Sequence, residues 1–244
     1  MNNKTALVTG ASRGIGRAVA KRLASDGFLV LIHYVHNEAK AKSLLAEIEQ
    51  AGGCGQLLQA DLQDPSQTEA LASKVSGADV LVLNASVQFR RPWQQIPLEE
   101  AVLQLNCNYL SSLRLMQAVA EHMKTSGWGR IVTIGSVQQA KPHPDMLVYS
   151  ASKAALENTV RSLSLQLAPY GITVNNVSPG VIATDRNTQA LSDEAYATTV
   201  RASIPCGYYG QPEDCAGIVS LLCSEDGRYI NGQNIYVDGG KSIQ

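Results

Sequence analysis

Leu7-Val8-Thr9-Gly10-Ala11-Ser12-Arg13-Gly14-Ile15-Gly16 is the stretch on which the rest of the chain is read. An apolar run, Ala6 to Val8, enters a turn carrying three glycines, and a helical composition continues from about Gly14 to Ser25, closed by Gly27. Glycine lets backbone approach a ligand closely, and a helix N-terminus offers unpaired N–H groups and a partial positive charge. Gly10, Ser12, Arg13, Gly14, Ile15 and Gly16 therefore form a candidate pyrophosphate cradle. The spacing is G-x-x-x-G-x-G rather than G-x-G-x-x-G. Its place on the first strand-to-helix junction is what gives it weight.

Outward from this turn, strand-like and helix-like segments alternate. Phe28 to Ile32 is continuously apolar, as in a strand covered on both faces. Glu38 to Glu49 reads as a helix, Gln56 to Ala60 as a third strand and Asp79 to Leu83 as a fourth. A helix is expected from about Leu98 to Met123, a strand from Arg130 to Ile134, and a helix from Tyr149 to Leu167, stopped at Pro169-Tyr170-Gly171. Ile172 to Val177 gives a sixth strand and Asn234 to Val237 a last one, after a helix from Glu213 to Cys223. Gly180 to Tyr209 has weak periodicity and reads as a long loop with short helical pieces. Strand, helix, strand at this spacing predicts βαβ units, hence an α/β doubly wound Rossmann fold with a parallel seven-stranded sheet and helices on both faces. With no linker or repeat, residues 1–244 are expected to form one domain.

Composition narrows the function. The chain has 244 residues, 45% hydrophobic, with a formal charge of −1 and no long basic run, so no nucleic-acid footprint is present. No apolar stretch approaches the ~20 residues of a membrane span. No signal-peptide pattern opens the sequence, and five scattered cysteines without a C-x-x-C fit reduced thiols, so a cytoplasmic protein is expected. No His, Cys or carboxylate cluster has metal-ligand spacing.

The second chemical signal is Ser136 with Tyr149-Ser150-Ala151-Ser152-Lys153. Tyr149 and Lys153 are four apart, hence one helical turn apart on one face. An ammonium beside a phenol favours the phenolate and makes the tyrosine a usable proton carrier. Ser136 could hold a substrate oxygen for that transfer. A proton carrier together with a dinucleotide site is the equipment of hydride transfer. The second strand ends Ile32-His33-Tyr34-Val35-His36, without the carboxylate expected when an NAD ribose is recognised. Arg13 could instead pair with a 2′-phosphate, or be a solvated loop cation. NADP(H) is therefore preferred and NAD(H) remains open. His33 and His36 could assist, or be ordinary strand-end residues. Asp61, before Leu62, could accept from an adenine amino group or cap the turn at Asp64-Pro65. Ala85 lets a cofactor pass close, while Asn84 could simply tie strands together. Arg90 and Arg91 could attract an anionic substrate, and His143 reads as a loop residue.

In this order the motifs resemble the short-chain dehydrogenase/reductase family over nearly the whole chain, and its 3-oxoacyl-(acyl-carrier-protein) reductase type in particular. Thr9 to Gly16 is similar to the family's T-G-x-x-x-G-x-G. Asn84-Ala85-Ser86 is similar to N-A-G, with Ser86 in place of glycine. Tyr149 and Lys153 match Y-x-x-x-K. Asn175 with Pro179-Gly180-Val181-Ile182-Ala183-Thr184 resembles N-x-x-x-P-G-x-I-x-T, and Asn231-Gly232-Gln233 with Asp238-Gly239-Gly240 resembles the C-terminal signature. The resemblance implies catalysis by Asn106, Ser136, Tyr149 and Lys153. Asn106 would distort its helix and hold a water linked to Lys153. Lys153 would also bind the nicotinamide ribose, and Ile182 and Thr184 would contact the carboxamide. It further implies a small carbonyl or alcohol substrate (an acyl thioester, sugar or polyol), a lid at about 185–209, and a homotetramer through the two long helices and last strand. A non-catalytic NADP(H)-sensing protein is the alternative from another class. Two departures stand out. Asp61 to Asn84 is short, implying a truncated third crossover helix. Tyr170 stands where carrier-docking reductases often place a base, leaving Arg130 as a docking cation.

Overall fold

The computed structural model describes residues 4–185, 187 and 192–244. Seven strands form one sheet: β1 Thr5–Val8, β2 Leu29–Tyr34, β3 Cys54–Gln59, β4 Val80–Leu83, β5 Gly129–Ile134, β6 Ile172–Pro179 and β7 Asn234–Val237. Their order is β3-β2-β1-β4-β5-β6-β7, and every pair is parallel. Strand order reverses between β1 and β4, so the loops leaving these two strands diverge and open a crevice at their carboxyl ends.

Alternation along each strand divides the core into two layers. Ala6, Val8, Val80, Val82, Val132 and Ile134 pack on one face with helices α1 (Gly14–Ser25), α2 (Glu38–Gln50) and, near the C-terminus, Pro212–Cys223. Leu7, Leu81, Ile131 and Val174 pack on the other. That second face is covered by α3 (Pro65–Lys74), the long helix after β4 and the helix bearing Tyr149. The short α3, ten residues long, agrees with the abbreviated third crossover.

The expected Leu98–Met123 helix is three pieces: α4 Leu98–Leu105, a π turn Asn106–Leu110, and α5 Ser111–Ser126. A π turn inserts one residue and so rotates the helix beyond it. The Tyr149 helix, α6, spans Leu147–Leu167. The long loop after β6 contains α7, Glu194–Ala202, capped by Asp193, and leads into α8, the Pro212–Cys223 helix. Arg186 and residues 188–191 of the expected lid lie outside the described residues.

One expectation is corrected here. Arg130 is only 2% exposed. Its guanidinium donates to the carbonyls of Gly129, Gly171 and Ser224 and lies 4.4 Å from the Trp128 ring centroid, so it braces the amino-terminal ends of β5 and β6 and is not open to a docking partner. On α6, Leu156, Val160 and Leu167 are core, whereas Leu147 and Leu165 are exposed. Exposed apolar side chains also stand on α4 and the π turn, at Leu98, Val102, Leu103, Leu105 and Leu110. Among the described residues, no helix is long and apolar enough to cross a membrane.

Candidate active site

The crevice holds a cavity of about 750 Å³. One end is the glycine turn. Gly10 and Gly14 have φ of +64° and +54°, which a side chain would strain. Gly16 is closed by packing instead: a Cβ there would lie 2.5 Å from both the Gly10 carbonyl and Asn84 Nδ2. Asn84 donates to the carbonyls of Thr9 and Gly10, and Thr9 Oγ1 accepts from the N–H groups of Asn84 and Ala85. Asn84 thus ties β1 to β4 and fixes the turn, the simpler of its two readings.

The first turn of α1 is left bare. No side chain caps it and no acidic residue sits in it, whereas Asn37, Asp64 and Asp193 cap α2, α3 and α7. Unsatisfied N–H groups at the head of α1 therefore face the cavity, a fit for a pyrophosphate. Around them stand Ser12, Arg13, Ile15, Tyr34, His36, Asp61 and Leu62. Arg13 is exposed at the rim. Asp61 spends one carboxylate oxygen on Gln63, from its backbone N–H at 2.9 Å, which supports the turn-capping reading.

His33 plays a role that its strand-end position did not disclose. It is fully buried. Gly10 N–H donates to its Nδ1 at 3.0 Å, and its Nε2 lies 3.0 Å from the Ala60 carbonyl. An amide can only donate, so Nδ1 accepts and the proton sits on Nε2. Burial pulls its pKa down from 6.5 to about 4, against opposing pulls from the Ala60 carbonyl and Asp61. A neutral imidazole thereby holds the first glycine, and His33 is no phosphate-binding cation.

At the other end are Ser136, Tyr149 and Lys153, all buried and all lining the same cavity. Ser136 comes directly after β5 and Gly135 and starts a short turn over Val137–Gln139; its Oγ accepts from Gln138 N–H at 3.1 Å, leaving the O–H to donate. Lys153 Nζ donates to the Ile134 carbonyl at 2.7 Å and lies 5.8 Å from the Tyr149 ring centroid. The Tyr149 hydroxyl has no hydrogen-bond partner among the described residues. Ala85, Ser86, Pro179, Gly180, Ile182 and Thr184 line the wall between the two ends.

Asn106 does not line this cavity; its amide donates to the Gln63 carbonyl at 3.3 Å. Asn108, two residues on in the π turn, is completely buried. It accepts from Val87 N–H at 2.8 Å and donates to the Val87 carbonyl at 2.9 Å and Ser152 Oγ at 3.1 Å. Ser152 in turn donates to the Tyr149 carbonyl. The asparagine that connects the π turn to the Tyr149 helix is therefore Asn108. Two asparagines at i and i+2 look alike in sequence, and only the extra residue of the π turn separates their directions.

A bare helix head and a Ser-Tyr-Lys set share one cavity at the reversal point of a doubly wound sheet, and this defines the class: a Rossmann-fold oxidoreductase. A family model described as enoyl-(acyl carrier protein) reductase matches residues 10–242. The chain belongs to the short-chain dehydrogenase/reductase family. It is 32% identical to 3β-hydroxysteroid dehydrogenase 1 of Eggerthella lenta, over all of this chain and 95% of that protein. It is 35% identical to a 3-oxoacyl-(acyl-carrier-protein) reductase of Staphylococcus aureus, over 97% of each. A solved gluconate 5-dehydrogenase from Burkholderia cenocepacia, in complex with NADP and tartrate, superimposes with a TM-score of 0.92 at 30% identity, covering 100% of this chain and 97% of that one.

Proposed function

We propose that the protein transfers hydride between NADP(H) and the carbonyl or secondary alcohol of a small free molecule, with Tyr149 as the proton carrier. The observation that carries this reading is the shared cavity, which runs from the glycine turn to Tyr149. Gly10 to Gly16 would hold the pyrophosphate, Arg13 the 2′-phosphate, Tyr34, Asp61 and Leu62 the adenosine end, and Asn84, Ala85 and Ser86 the middle. Pro179, Gly180, Ile182 and Thr184 would flank the nicotinamide, with Lys153 on its ribose. The bound nicotinamide supplies or accepts the hydride. In reduction, Tyr149 gives its phenolic proton to the substrate oxygen; in oxidation it takes that proton back. Ser136 O–H donates to the same oxygen and stabilises charge developing on it. Lys153, tethered at Ile134, holds its ammonium beside the Tyr149 ring, 5.8 Å from the centroid. Asn108 positions the Tyr149 helix through Ser152, the part that the family resemblance gives to Asn106.

A free substrate is favoured over a carrier-bound one because Arg130 is buried and Tyr170 stands exposed in place of a base. The 3-oxoacyl thioester is the second reading, supported by the name of the S. aureus relative. Initial rates of NADPH and NADH oxidation with a diketone, simple sugars and an acetoacetyl thioester test both. The expected result is turnover with NADPH preferred and the thioester no better than free carbonyls. No carbonyl-dependent oxidation, with NADPH tightly bound, would support the non-catalytic alternative.

Assembly into a homotetramer is part of the same proposal. It is supported by the exposed leucines of α4, with Leu98 74% exposed, and by β7, whose outer edge is unpaired in the sheet. Sedimentation should give about four times the 26.1 kDa of one chain; a monomer would contradict it.

A further inference from the structure

We infer that the substrate is an anion, a carboxylate-bearing carbonyl or alcohol, recognised by the positive field of Arg90 and Lys241 at the Tyr149 end of the cavity. The inference rests on the hydride-transfer reading above and names its substrate class.

Three segments remote in sequence converge there. The loop after β4 carries Gln88 and Arg90, and is fastened to the loop preceding α6 by Arg91 N–H donating to the Asp145 carbonyl at 2.9 Å. That second loop carries Gln138, His143 and Met146, all on the cavity wall. Lys141 on the same loop bonds the main-chain oxygen of Gln244, which brings in the C-terminal turn Lys241–Ile243. Lys241 lines the cavity from this third side.

The charges are unbalanced. Of the two arginines in the first loop, Arg91 is neutralised by Glu100 at 2.8 Å, while Arg90 has no hydrogen bond or ion pair among the described residues. Lys241 Nζ donates to Ser203 Oγ at 2.5 Å, a neutral partner. Its neighbouring carboxylate, Asp238, is engaged by the backbone N–H groups of Gly240 at 3.0 Å and Ser242 at 2.6 Å and does not line this cavity. Asp145 lies against His143, also off the wall. The described carboxylates that do line the cavity, Asp61 and Asp185, belong to the nucleotide end: Asp61 comes just after β3, and Asp185 is paired with Lys40 of α2 at 2.6 Å. Arg90 and Lys241 thus add to Lys153 at this end of the cavity, and no described carboxylate lines it. A neutral substrate would leave Arg90 without a counter-charge and Lys241 with only the field of Asp238 behind it, whereas a carboxylate in the cavity would pair with both. Lys241 is also held in place, since Ser203, the Asp238 caps and the Lys141 contact fix the turn that carries it.

The test uses the full chain with NADP(H) and two matched pairs: acetoacetate against its ethyl ester, and D-gluconate against D-glucitol. The acid of at least one pair should be used with the higher kcat/KM. Arg90→Ala and Lys241→Met should each raise its KM by roughly tenfold to a hundredfold, the size of a lost charge-assisted bond. Arg91→Ala should leave that KM within twofold. Neutral members used as well as their acids, or an acid KM unmoved in both variants, overturn the inference and leave hydride transfer standing. Absence of turnover with all four counts against the hydride-transfer reading, and calorimetric titration of the NADP⁺ complex with gluconate then decides the inference. Salt-sensitive binding that is lost in both variants supports it, and binding that survives both, or no binding, overturns it.

Discussion

The two ends of the cavity are built on different principles. The proposed pyrophosphate cradle is made largely of backbone: glycines at positive φ, uncapped N–H groups at the head of α1, and carbonyls gathered by Asn84. Its parts lie within one contiguous motif, with Asn84 and His33 as braces. The proposed substrate end is made of side chains from three separate segments, around Arg90, His143 and Lys241. Backbone sites tolerate little change in shape and recognise what many relatives share. Side-chain sites are open to change, and the relatives carry hydroxysteroid, 3-oxoacyl and gluconate names. Ser136, Tyr149 and Lys153 stand at the seam.

The contrast can be broken at the nucleotide end first. Gly16→Ala places a methyl 2.5 Å from the Gly10 carbonyl, a backbone atom that cannot swing aside. The turn must open, so NADPH binding by fluorescence titration should be lost while circular dichroism keeps its helical signal. The overpacking itself should cost about 1–3 kcal/mol of stability. Retention of wild-type NADPH affinity would show that the turn is not the rigid element claimed.

A smaller, pH-dependent effect sharpens the same point. His33 has a folded pKa near 4 against 6.5 unfolded, so between these values the unfolded chain binds the extra proton. The contribution of His33 to stability is present above pH 6.5 and is lost as pH falls towards 4, a decline of up to about 3 kcal/mol. Urea midpoints measured from pH 7 to pH 4 should fall accordingly, and His33→Gln should flatten that part of the profile. An equal slope in the variant would remove His33 from the account.

Legibility in the sequence divides along the same line. The strands of the sheet and their order of appearance were legible because buried parallel strands leave continuous apolar runs. The glycine turn was legible because backbone geometry demands one residue type. Tyr149 and Lys153 were legible because spacing on a helix fixes which residues face together, and Ser136 by its place just after the fifth strand; the structure brings all three to one cavity. No proline or glycine marks the π turn: the distortion is expected only through the family resemblance, and the motif pattern points to Asn106 where Asn108 makes the link to the Tyr149 helix. The environments of His33 and Arg130 were equally hidden: a histidine or arginine on a strand looks the same whether it faces solvent or, as here, long-range carbonyl partners. Which of Arg90 and Arg91 is paired depends on Glu100, a contact set by loop conformation.

The central claim is that Tyr149 carries the proton and leaves cofactor binding to the rest of the cavity. Single-turnover reduction and NADPH titration of Tyr149→Phe, run side by side, test it most directly. Turnover should fall by ~10²–10⁴-fold, the usual worth of a positioned general acid, with the NADPH Kd within a fewfold of wild type. Turnover close to wild type in that variant would contradict the account.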